Sequence, residues 1–207
     1  MIPEILRALL TGVIAAVPIG PIFVMVVQRT LCHSRRAGMM VGLGAAAGDL
    51  VYATVGLLTL ELIKSFVLDH QGVFMLVGGV IIGAIGVSMF TREVSLSLPE
   101  EKRQVSDWSC ALQAFTSTLS NPAALATMLA LLTGFGLGVG SRTPVWLLAP
   151  LIGLGEVLYW TLVTFLLARF LRINEKVLRI VSKVAGALVC VFAVVLVVRG
   201  ALMLIGN

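Results

Sequence analysis

Charge is the scarcest property of this chain. Of 207 residues only 12% are charged, ten of them acidic, while 59% are hydrophobic. The mean hydropathy is +1.07. That balance excludes an ordinary soluble globular domain and places the chain among polytopic membrane proteins. Cysteine is scarce too. Cys32, Cys110 and Cys190 are odd in number, widely spaced and without a Cys-x-x-Cys, which argues against a disulfide framework or a zinc site. His33 and His70 stand alone, with no metal-ligand spacing, so no metal or cofactor is expected. No Gly-x-Ser-x-Gly, His-Glu-x-x-His or paired-aspartate motif falls in the apolar segments. An intramembrane enzyme therefore ranks low, and the chain is read as a non-enzyme.

What the chain has in quantity is apolar sequence, in six runs: Ile5–Val27, Gly38–Leu62, Gly72–Phe90, Ser109–Leu132, Val145–Ala168 and Val184–Ile205. A helical crossing of the bilayer takes about 20 apolar residues, so six crossings use nearly the whole chain. The expected fold is all-α, a single membrane domain over residues 1–207. The first run has a weakly charged start at Arg7 and no convincing cleavage site, so it reads as a retained span.

The net charge of +5 does not suggest nucleic-acid binding, because the basic residues sit in short connections. Those after the first, third and fifth runs hold eleven of the fifteen Lys and Arg. Such loops mark the cytoplasmic side, which puts both termini outside the cytoplasm.

Two runs are interrupted. Pro18, Ile19, Gly20 and Pro21 lie near the middle of the first, and Asn121 and Pro122 lie within the fourth. Proline removes an N–H and clashes with the preceding turn, and glycine adds backbone freedom. In hydrocarbon the freed groups survive only against protein or a water-lined cavity. A five-residue pattern also recurs: Gly48-Asp49-Leu50-Val51-Tyr52 in the second run and Gly155-Glu156-Val157-Leu158-Tyr159 in the fifth. These places are equivalent if residues 1–92 and 108–207 are repeats of three helices joined by a cytoplasmic loop, 93–107. Three crossings per repeat invert the second against the first, a recurring transporter design with its site between the halves.

Apart from Glu61 at the end of the second run, Asp49 and Glu156 are the only acids inside the runs. A buried acid costs at least about 2.5–3.5 kcal/mol on insertion scales and needs a reason. Either is a candidate proton carrier or a partner for a substrate ammonium group. The structural alternative is an acid bonded to a neighbouring helix or snorkelling at the interface. Exposed N–H groups at the breaks could hold a carboxylate, and the Asn121 amide could add a donor or acceptor. Tyr52 and Tyr159 lie one turn beyond the acids, too close to be dismissed as interface tyrosines.

Pro18-Ile19-Gly20-Pro21, the arginine-bearing stretch from Arg29 to Gly38, and Gly42-Leu43-Gly44 leading to Asp49 together resemble the LysE-type family of amino-acid exporters. Asn121-Pro122 looks like that family's fourth-span motif. The chain departs at Ile19, where many members read Pro-Gly-Pro, and at Ala123, where lysine is frequent. The resemblance implies a permease of the bacterial inner membrane that exports amino acids or their relatives by proton antiport. Small-molecule substrate, protons and the bilayer are then its partners, with a homodimer as a candidate assembly. Two further classes compete: an exporter of another solute such as a metal cation, and a membrane thiol carrier that would need cysteines beside the breaks.

Overall fold

The computed structural model describes residues 2–17, 20–91, 106–139, 141–169 and 175–205. Its regular structure there is entirely helical: α1 (Ile2–Ala16), α2 (Pro21–Cys32), α3 (Arg35–Leu62), α4 (Lys64–Asp69), α5 (Gln71–Thr91), α6 (Asp107–Leu119), α7 (Pro122–Gly134), α8 (Val145–Arg169) and α9 (Glu175–Ile205). Among the described residues, α3, α5 over Gln71–Ser88, and α8 are each long and apolar enough to cross a membrane. The α6–α7 pair makes a fourth if counted as one span.

Local chemistry accounts for the ends. Gly20 precedes α2 in an extended conformation, and Pro21 takes a first-turn position, where a missing N–H costs nothing. Ser34 Oγ accepts from the Ala37 N–H at 3.0 Å and starts α3, as an N-cap serine does. The turn after α7 runs through Gly136 and Gly138 at φ of 65° and 85°, left-handed conformations that favour glycine.

The break expected at Asn121 and Pro122 divides the fourth run into two helices bent by 71°, because Pro122 heads a new helix instead of continuing the old one. Other expectations are corrected. The connection between the second and third runs contains α4, a helix of six residues and too short to show a period. The last helix starts at Glu175, ahead of the apolar run at Val184, because helix formation tolerates the charged residues that hydropathy rejects. Pro18 and Ile19, at the centre of the first expected break, lie outside the described residues, as does 92–105 within the connecting stretch.

Packing pairs α1 with α8, α3 with α6, α3 with α8, and α5 with α9. Small residues let these helices approach closely. A Cβ on Gly155 of α8 would lie 2.2 Å from the Leu9 carbonyl oxygen of α1, and one on Gly12 of α1 1.9 Å from that of Ile152. On α3, a Cβ at Gly44 would lie 2.0 Å from the Ala111 carbonyl oxygen of α6. Large apolar side chains outside these contacts point outward, including Val77 and Val80 of α5 and Val191 and Val194 of α9. That face suits hydrocarbon.

The two ends of the bundle differ. Arg36, starting α3, pairs with Asp107, starting α6, at 2.8 Å. Arg35 and Arg169 both stack on the Phe165 ring near the end of α8. This basic end gathers residues of the connections that the sequence marks as arginine-rich. At the other end Glu4 accepts hydrogen bonds from the Thr143 hydroxyl and the Arg142 N–H, tying α1 to the connection before α8. Those donors, Thr143 first, hold the Glu4 carboxyl below the usual glutamate range.

Candidate functional site

Two acids meet where α3 packs on α8. The carboxyl groups of Asp49 and Glu156 are electrostatic neighbours there. Glu156 is 0% exposed, and neither of its oxygens has a donor among the described residues. Ionised carboxylates only accept hydrogen bonds, and like charges repel. Two neighbouring carboxyls are accommodated by a proton shared between them or by a cation seated on both. Among the described residues no three His, Cys, Asp or Glu side chains converge as a metal site.

The glycine ahead of each acid seats a helix of the other half of the chain. Gly155 takes the α1 backbone at Leu9, and Gly48 takes α6, where an added Cβ would lie 2.8 Å from the Thr118 side chain. The tyrosine one turn past Asp49 also reaches across. Tyr52 donates its hydroxyl to the Leu119 carbonyl at 2.7 Å and approaches that of Thr118 at 3.3 Å. The reason lies in the α6–α7 break. A continuous helix would bring the Pro122 and Ala123 N–H groups to those two carbonyls. Pro122 has no N–H, and that of Ala123 is held instead by Asn121 Oδ1 at 3.1 Å. Thr118 recovers a bond from the Asn121 N–H at 3.0 Å. Leu119 takes the tyrosine.

Asp49, Glu156, Tyr52, Asn121 and Pro122 are thus gathered around α3, α8 and the α6–α7 break. Tyr159 packs edge-on to the Trp160 ring at 5.1 Å. Gly20 and Pro21 lead into α2, whose Phe23 ring faces Trp160 at 6.5 Å. Pro18 lies outside the described residues. The broken elements touch, α1 against α7 and α2 against α6. Cys110 is fully buried in the core, and Cys190 packs against Gly86 between α5 and α9.

Sequence reasoning missed two groups. Trp160 is 3% exposed, and its indole nitrogen has no partner among the described residues. Its signal was its place four residues after Glu156, on the same face of a helix. The Leu119 carbonyl was also legible, because a proline at 122 and a capping asparagine at 121 between them remove its usual donor.

An acid pair between long apolar helices, its Glu156 fully buried, beside a proline-headed break, defines the chain as a class: a membrane transport protein. Residues 13–200 match the family model described as LysE type translocator, and the chain belongs to that family. Among its relatives, an uncharacterised membrane protein, YahN, of Escherichia coli (strain K12) is 28% identical over 84% of this chain and 80% of its own length. A threonine efflux protein of Salmonella typhi is 28% identical over 90% of this chain and 93% of its own. The threonine efflux protein of Escherichia coli (strain K12) is 26% identical over 96% and 99%. No solved structure matches.

Proposed function

We propose that the chain is a secondary exporter of amino acids or related small solutes in a bacterial cytoplasmic membrane, driven by proton antiport. The observation that carries this reading is the Asp49–Glu156 contact. A substrate ammonium group satisfies both carboxylates at once. A proton arriving from outside takes its place and releases it, so one site alternates between two cations. The substrate carboxylate goes to the helix breaks, the first around Pro18, Gly20 and Pro21, where the Ile22 N–H opens α2, and the second at Asn121 and Pro122, where the Asn121 side-chain NH2 donates. Tyr52 and Tyr159 frame the pair. Threonine is the first substrate to test, on the strength of the relatives' names.

The architecture proposed with it is six crossings in two inverted repeats, residues 1–92 and 108–207, with 93–107 on the cytoplasmic side and both termini outside. Supporting it, the α1–α8 and α3–α6 contacts exchange when the halves are exchanged. In each, the glycine before the acid seats the first helix of the other half.

Efflux of labelled threonine from proteoliposomes, with and without a pH gradient, tests the reading. The wild-type chain is expected to export it faster with the gradient. Asp49→Asn and Glu156→Gln are each expected to lower efflux at least about thirtyfold, the effect of removing one partner of a buried charge contact. Full activity in the double variant overturns the mechanism.

A further inference from the structure

We infer that Trp160 is a second recognition group of the acid-pair site, its indole N–H donating to the carboxylate of the exported solute. The inference rests on the exporter reading and adds to it the residue that distinguishes an amino acid from a plain amine.

An indole N–H is a donor only, and buried tryptophans ordinarily find it a partner. Trp160 has 3% of its surface exposed and no partner for Nε1 among the described residues. Glu156, which like the Thr30 and Thr118 hydroxyls also lacks a partner among the described residues, stands four residues earlier on the same face of α8. One orphan is a hydrogen-bond donor and the other carries acceptors. They are about 6 Å apart along the helix axis. A zwitterionic amino acid presents the complement, an ammonium for the acids and a carboxylate for the indole.

The indole is also held in place. Gly42 of α3 leaves room for it, since a Cβ there would lie 2.6 Å from Trp160 Cβ and 2.7 Å from its Cγ. Phe23 of α2 and Tyr159 flank the ring. Phe23 belongs to the first turn of α2, where backbone N–H groups have no partner within the helix. Trp160 therefore lies beside the start of α2, and a carboxylate there meets the indole and the helix terminus together. Gly42 precedes Asp49 by two turns of α3, and Trp160 follows Glu156 by one turn of α8. Both steps lead from the acids towards the basic end, so the solute lies along the bundle with its carboxylate on that side.

The other two tryptophans make the test practicable. Trp108 and Trp146 are 76% and 74% exposed, so replacing both with phenylalanine leaves Trp160 as the single indole. Its emission is expected to shift with saturating threonine and to stay unchanged with threoninol, which keeps the ammonium but lacks the carboxylate. In the otherwise wild-type chain, Trp160→Phe is expected to raise the threonine KM for efflux roughly tenfold to hundredfold, the effect of a lost hydrogen bond to a charged group. Competition by threoninol is expected to be unchanged. Should that variant fold poorly, the benzothienyl analogue of tryptophan at position 160 keeps the ring and lacks the N–H, with the same loss expected. Unchanged threonine KM in either, or unchanged Trp160 emission with threonine, overturns this inference and leaves the exporter reading standing. No efflux of any amino acid by the wild-type chain overturns both.

Discussion

The hydroxyl of Tyr52 matters because Pro122 has no N–H to give and Asn121 has taken that of Ala123. Removing it leaves the Leu119 carbonyl bare inside the protein, at a cost of about 1–3 kcal/mol. Tyr52→Phe is therefore expected to lower the melting temperature in detergent and to slow efflux, with substrate affinity changed less than rate. Melting curves and a KM-against-kcat comparison check this. The same residue marks how far the sequence could be read. Asp49 and Glu156 were legible as lone acids in apolar runs, and their shared pattern suggested equivalent places. That they are neighbours across α3 and α8 was not legible, because helix periodicity says which face a residue occupies and nothing of which helix it meets. Trp160 went unseen because an aromatic residue in an apolar helix is ordinary by composition. Only its unpartnered nitrogen sets it apart, and that is visible only once its neighbours are placed.

At the scale of helices, glycine decides where backbones touch. Gly155→Ala would push a methyl to 2.2 Å from the Leu9 carbonyl oxygen, whereas Gly83→Ala would meet only the Ala193 Cβ at 3.5 Å. The first is expected to destabilise by about 1–3 kcal/mol, as overpacking does. The second is expected to be neutral or mildly stabilising, since alanine favours a helix interior over glycine. Thermal unfolding of the two variants side by side checks the order. The long helices were the easiest elements to read. The runs Gly38–Leu62, Gly72–Phe90 and Val145–Ala168 differ from α3, α5 and α8 by no more than three residues at either end. Hydropathy marks such helices because their length is set by the membrane. It failed at α4 and at the start of α9, where the chain is helical without being apolar throughout, and at the 71° bend, which proline announces without giving its angle.

Across the described residues, Arg35, Arg36 and Arg169 meet at one end, and the tie of Glu4 to Arg142 and Thr143 closes the other. With the basic end in the cytoplasm, a reporter fused after residue 207 is expected to be active as a phosphatase outside and silent as a fluorescent protein made for the cytoplasm. The reverse pattern overturns the orientation. The count of crossings is hard to read from the sequence. Two short helices pass no simple length test, and α6–α7, bent by 71°, is a broken span or a re-entrant loop.

The exchange of partners between the halves also sets a timetable for synthesis. Tyr52 and Gly48 leave the ribosome well before Leu119 and Thr118, and Asp49 precedes Glu156 by 107 residues. At about 5–20 residues per second, roughly 5 to 20 s pass between the first acid and its counterpart. Throughout that interval α3 carries a carboxyl and a hydroxyl that the finished protein satisfies from elsewhere. A chain arrested after α5 is left in that condition permanently, with its glycine seats empty, and is expected to be cleared as an unfinished product.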